Sequence, residues 1–364
     1  MKKIPFSPNE LDVVGEHVNI TSWAFLNPIP NPKYNTPITP KENFKAALRR
    51  DGSVMWIPSS GDFLSIESRV NADHIARAEV MDMGPPYSDD EKGGADMFGI
   101  EWVFVPQVGG SMVKPGSPVL TDANDWEKII KFPDVESMDW AAAKALNAKM
   151  NETERAFKAT FQNGLFERLI SFMDFEGAAL AIIDEDQKDA VHALMAKLCD
   201  LYEAMIVKYT EILDIDGIMF HDDWGSQRAP FFSADTCFEM LVPYLKRLAD
   251  FCHSKGLWFE LHCCGKNEPL VPCMIAANVD MWSPQAMNDT DMLYERYGDK
   301  LIFGVSAGAA MDATPEEAEA AAKAFAEKYA PNMSVKPVVL FGFGAPVGLL
   351  SNVYRYSREI LAAQ

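Results

Sequence analysis

The chain lacks the spacings that announce several common chemistries. No GxGxxG closes a strand, and no Walker A, HExxH or CxxC pattern is present. Dinucleotide binding on a Gly-rich turn, P-loop phosphate transfer and helix-borne zinc proteolysis therefore have no support. Gly342-Phe343-Gly344 carries only a fragment of a dinucleotide fingerprint.

Positive charge is scarce: 33 Lys and Arg stand against 53 Asp and Glu, a formal net charge of −20. That balance argues against a nucleic-acid backbone or an anionic membrane surface as partner. No apolar run approaches the roughly 20 residues of a membrane span. The first residues, MKKIPFSPNELDVV, have no apolar core of a signal peptide, so a cytoplasmic location is the expectation. Cysteine is missing before Cys199 and after Cys273; the six lie between. A chain of 364 residues needs no disulfide framework, so reduced thiols are expected, some buried and some available to a metal.

What is present is an alternation of apolar runs and amphipathic stretches. Residues 1–50 form an irregular lead-in rich in Pro and Asn that ends in a short helix, Lys41–Arg50. Val54–Pro58 reads as a buried first strand, with a weak second near Ala78–Met81. Gly and Pro punctuate residues 84–122, predicting a β-hairpin insertion in which Ile100–Val108 is a strand and Gly109-Gly110 a turn. Beyond it, Ala141–Asn163 reads as helix and Leu169–Met173 as strand. A long helix follows within Asp186–Asp214, with Leu194, Leu198, Leu201 and Met205 at helical spacing. Strands are expected at Asp216–His221, Leu257–His262, Val279–Ser283, Leu301–Val305 and Val338–Phe341. The helices between them include Ala234–Gly256, which ends on a glycine, and Thr314–Tyr329, which opens Thr-Pro-Glu-Glu. About eight unalternating apolar strands separated by helices predict a parallel sheet covered on both faces, closed as one (β/α)8 TIM barrel over residues 1–364.

In such a barrel the chemistry sits at the carboxyl ends of the strands. Two of those ends hold polar clusters. Leu257–Pro269 reads LWFELHCCGKNEP, and Phe220–Gln227 reads FHDDWGSQ. Residues two apart on a strand share a face, which puts Glu260, His262 and Cys264 in line. Imidazole and thiolate suit zinc, and a catalytic site takes three protein ligands and leaves a position open. His262 and Cys264 are thus candidate ligands, with Glu260 and His221 as candidates to complete the set. A buried histidine beside two buried cysteines, packing as small hydrophobes, is the alternative. Asp222, Asp223 and Glu260 are candidate catalytic carboxylates, because a carboxylate at the end of an apolar strand needs a partner or a ligand. Helix capping or an ion pair is the equally available structural role. Trp224, Gln227 and Gln285 are candidate substrate contacts, and Trp23, Phe25, Trp56 and Trp102 candidate pocket aromatics.

The run FHDDWGSQRAPFFSAD, then ELHCCGKNEPLVP, then YGDKLIFGV and a Gly-rich final strand end, resembles the uroporphyrinogen decarboxylase superfamily over nearly the whole chain. The earlier FGIEW and PGSPVLTDANDWEKIIKFPD resemble its corrinoid-dependent methyltransferase branch. That resemblance implies a (β/α)8 barrel. It also implies an HxC zinc pair, here His262 and Cys264, completed by a distant cysteine near the last strand. FGFGAPVG stands there instead, so an oxygen or nitrogen ligand from Glu260, His221 or Asp222, or a metal-free site, would take its place. The implied reaction moves a methyl group from a small methylated donor, an aryl methyl ether among them, to cobalamin carried by a partner corrinoid protein. Asp223 is the candidate acid for the leaving oxygen, and a homodimer is a quaternary option. Two alternatives stand beside it. One is a decarboxylase of the same superfamily using Asp222 without metal, although the arginine-rich WxMRQAGR-like stretch is absent and residues 20–60 hold only Arg49 and Arg50. The other is a barrel that binds a corrinoid or another ligand without turnover.

Overall fold

A computed structural model describes residues 4–18, 32–66, 73, 92–107, 110–342 and 344–364. Seven strands form one parallel sheet: β1 Phe63–Ser65, β2 Ala156–Phe161, β3 Gly217–His221, β4 Trp258–His262, β5 Met281–Trp282, β6 Ile302–Val305 and β7 Val338–Leu340. They run in sequence order across the sheet. A parallel bridge between Ser59 and Leu340, with the Leu340 amide donating to the Pro58 carbonyl at 2.7 Å, ties the chain just ahead of β1 to β7 and curls the sheet on itself. The fold is of the (β/α)8 TIM-barrel type. The strand expected near Ala78–Met81 lies outside the described residues, as do Trp23 and Phe25.

The two faces of the sheet are told apart by what they touch. Phe161 and Phe220 pack on Tyr202, and Phe161 also on Tyr209, both tyrosines from the helix Lys188–Ile212, so these positions face the outer helical layer. Phe63, Ala156, Trp258, Met281, Ile302 and Val339 face inward and share a buried cluster with Phe44. Phe44 comes from the helix Pro40–Arg49, which Thr39 starts with a capping box and Pro40 with a preset φ. Its ring meets Phe63 at 4.6 Å and Trp258 at 5.0 Å, so aromatic packing plugs the amino end of the barrel. The carboxyl end is left for chemistry.

Four expectations change. Val54–Pro58 is largely buried as expected but forms no strand among the described residues; pairing starts at Ser59 and Phe63. The helix read over Ala141–Asn163 is shorter: Trp140–Asn147 is helical, and Ala156–Phe161 is β2. Leu169–Met173 is part of the helix Leu165–Ala181 instead of a strand. That helix is buried on nearly all sides at its start, so its apolar run carries no helical stripe to read. The reading Ala234–Gly256 divides into helices Ala234–Met240 and Val242–Ser254, with Pro243 at the start of the second, where its missing N–H is tolerated.

The insertion is an antiparallel sheet of Gly94–Ala95, Glu101–Val105 and Gly110–Val113. Arg168 fastens it to the barrel. Its fully buried guanidinium pairs with Asp96 at 2.7 Å and with Asp73, and lies 4.7 Å from the Phe98 ring. Among the described residues no helix is long and apolar enough to cross a membrane.

Candidate metal centre at the barrel mouth

β3 and β4 end side by side, and His221 lies opposite His262 in the ladder. The two imidazoles stack with centroids 4.5 Å apart and planes 14° from parallel. Asp223 follows on the next loop. One ligand atom each from His221, Asp223 and His262 lie within 4.8 Å of one another, close enough to share a cation. Cys264 Sγ is 3.3 Å from His262 Nε2.

The loop contact that brings Asp223 in depends on a glycine. Gly265 has φ +101°, and a Cβ there would stand 2.3 Å from the Gly225 carbonyl oxygen. Only glycine lets the two loops touch. Asp223 Oδ1 then accepts from the Cys264 amide at 2.6 Å, and Gln285 Oε1 accepts from the Gly265 amide at 2.8 Å.

His221 is oriented from behind. Its Nδ1 meets Glu167 Oε2 at 2.7 Å, and both side chains are buried. A carboxylate on one ring nitrogen sets the tautomer and makes the other nitrogen, Nε2, the better ligand.

The neighbouring acids go elsewhere. Asp222 is fully buried and accepts from the Phe166 amide at 3.2 Å, the Glu167 amide at 2.9 Å and Trp224 Nε1 at 2.8 Å. Those amides are in the first turn of the helix Leu165–Ala181, so Asp222 caps that helix from another strand. Burial, together with repulsion from Glu167, pushes its pKa up to about 7. Gly164 leaves room for it: a Cβ there would fall 2.4 Å from Asp222 Cβ. Glu260 points into the barrel as its spacing from His262 implied, but one layer lower, where Lys158 Nζ binds it at 2.5 Å.

Among the expected substrate contacts, Trp224 is entirely buried. Gln227 is on the exposed loop between Gly225 and Pro230. Gln285 lines a cavity of about 730 Å³ with Ser306, Phe325, Tyr329 and Phe341, whose lining includes neither His221 nor His262. Cys263 turns into the core, where Asn267 Nδ2 meets its Sγ at 3.2 Å and burial raises its pKa well above the usual thiol range.

Glu167, Lys158 and Gln162 were missed by sequence reasoning. All three lie in the stretch whose strand and helix were misassigned. The signal available was the acid in GLFER directly after a polar FQNG turn.

Known proteins place the chain further. The family model "Uroporphyrinogen decarboxylase (URO-D)" matches residues 94–347. No curated protein matches the chain in sequence. Among solved structures, a methyltransferase from Methanosarcina mazei superposes with a TM-score of 0.54 at 16% identity, over 89% of this chain and 98% of that one. At that identity the likeness speaks for the shared barrel. The family match covers well over half of the sequence, including β2 to β7 and both histidines, and on that ground the chain belongs to the uroporphyrinogen decarboxylase family.

Proposed function

We propose that the chain is a corrinoid-dependent methyltransferase. It moves a methyl group from a small methylated donor, such as an aryl methyl ether, to the cob(I)alamin of a partner corrinoid protein. The observation that carries this reading is the cluster of His221, Asp223 and His262 at the open mouth of the barrel.

The donor set fits zinc. Two imidazoles and a carboxylate, with a thiol beside them, are its preferred ligand types, and Glu167 orients one imidazole as such sites require. His221 and Asp223 stand in for the distant cysteine that the resemblance called for. Zinc held there supplies a Lewis acid toward the heteroatom of the methyl donor.

The chain's own groups do the rest. His221, Asp223, His262 and Cys264 form the polar wall of the mouth. Asp222 fixes the β3 end against the helix Leu165–Ala181. The Lys158–Glu260 pair forms a charged floor below. Gln285 holds the HCCG loop through the Gly265 amide. In the transfer, the methyl–oxygen bond breaks as the methyl–cobalt bond forms, and its electron pair stays on the oxygen, which then takes a proton.

Decarboxylation of a polycarboxylate would need clustered cations at the mouth. Arg49 belongs instead to the helix at the closed end and pairs with Asp51 at 2.8 Å, and Arg168 is consumed by Asp73 and Asp96. The test combines metal content with turnover. Purified protein should hold zinc that His221→Ala and His262→Ala lose, and should methylate cob(I)alamin from 2-methoxyphenol, followed by visible absorbance. Full activity without metal in both variants, or carbon dioxide release from a uroporphyrinogen, would overturn the reading.

A further inference from the structure

The end of β2 carries polar atoms that nothing pairs. Thr160 Oγ1 and both Gln162 side-chain atoms, Nε2 and Oε1, are buried without a hydrogen-bond partner among the described residues. Thr160 is 3% exposed and Gln162 1%. Buried carboxamides are ordinarily satisfied, so three orphaned atoms on two side chains call for a cause.

Their position supplies one. Lys158 reaches Glu260 inside the barrel, whereas Phe161 packs outward on Tyr202. Alternation along the strand therefore turns Thr160 inward, above Lys158, and Gln162 follows directly on the strand's last residue. Phe161 pairs with Phe220, so Gln162 is level with His221 on the adjacent strand. The unpaired group thus sits in the same layer as the candidate metal ligands.

We propose that Gln162 and Thr160 are substrate-binding residues that recognise an uncharged group able both to donate and to accept a hydrogen bond, a hydroxyl or a carboxamide, on the molecule presented to the His221–Asp223–His262 centre. Gln162 offers one donor and one acceptor side, and Thr160 a hydroxyl that serves as either. The nearest cation below them, Lys158, is already neutralised by Glu260, so the cradle suits a neutral group over a carboxylate. A site built this way rejects analogues that lack the polar group, because its own buried atoms are then left unpaired. The inference rests on the proposed reading for what the centre does, but its test uses neither corrinoid nor methyl donor.

The full-length protein is loaded with zinc, and phenol, benzamide, benzoate and benzene are titrated and followed by ligand-observed NMR. Phenol or benzamide is expected to bind, with benzoate and benzene weaker by about tenfold or more. Gln162→Met and Thr160→Val should each weaken the favoured probe by a similar factor. Both should also raise the melting temperature of the ligand-free protein, since each removes unpaired buried polar atoms. Failure of both uncharged probes to bind, or unchanged affinity in both variants, overturns the proposal. So does a lower melting temperature with unchanged affinity, the result expected if an ordered water satisfies Gln162. Loss of methyl transfer with this binding pattern intact would count against the methyltransferase reading alone.

Discussion

Asp222 separates two roles that a strand-end carboxylate can play. In Asp222→Ala the Phe166 and Glu167 amides and the Trp224 indole lose their acceptor together. A buried donor left unsatisfied loses roughly 1–3 kcal/mol. Three such donors set the destabilisation at about 3 kcal/mol or more, even with some recovery from water. Relief of the carboxyl's burial cost, and of its repulsion from Glu167, offsets part of this, as its raised pKa implies. Against a total stability of roughly 5–15 kcal/mol, that is a large loss. In urea the midpoint should fall by about 1 M, taking a slope near 3 kcal/mol per M. Asp222→Asn, which keeps one acceptor oxygen, should fall about half as far. Zinc affinity should decline with stability, because Glu167 orients His221 and loses its backbone anchor. The assay is urea denaturation followed by circular dichroism, with metal content measured on the same samples. An unchanged midpoint and full zinc in Asp222→Ala, with activity abolished, would refute the reasoning and return Asp222 to the chemistry.

The buried Lys158–Glu260 pair should respond asymmetrically. Lys158→Met alone leaves an uncompensated charge and should destabilise by about 3–5 kcal/mol, whereas Lys158→Met with Glu260→Leu should be near neutral; equal losses in the two, measured by denaturant titration, would show that the pair is not the cause. Arg168→Ala strands Asp73 and Asp96 in the core, so the insertion at Gly94–Val113 should become protease-sensitive before the barrel unfolds. His253 Nε2–H donates to Asp280 Oδ2 at 2.7 Å, and that bond raises its pKa above 6.5. Its contribution is therefore complete below pH 6.5 and is lost as pH rises through the higher folded value. Both groups are partly exposed, so the difference should be at most about 1 kcal/mol and should vanish in His253→Gln when stability is compared at low and high pH.

The strands β3, β4, β6 and β7 were legible because each is a short, predominantly apolar run bounded by turn residues, the pattern of a parallel strand buried on both faces. The segment from Ala141 to Met173 was not. β2 reads AFKATF, with a lysine at its centre that only an acid on another strand makes tolerable inside a barrel. The helix after it is buried so fully that LISFM resembles a strand. With β2 misplaced, Lys158, Gln162 and Glu167 could not be assigned to the mouth.

The amino-acid sequence by itself determined the barrel class, the placement of HDDW and HCCG at strand ends, and the alignment of Glu260 with His262. Local periodicity encodes those properties. The partnership of each acid was decided only by the tertiary structure. Asp222, Asp223 and Glu260 are near one another in the reading, yet one caps the helix Leu165–Ala181, one joins two histidines, and one pairs with Lys158. Burying a carboxylate is unfavourable unless a specific partner meets it, and those partners come from chain segments 55 and 102 residues away. The candidate centre completed by His221 and Asp223 is likewise a product of two strands lying side by side and a glycine that lets their loops touch.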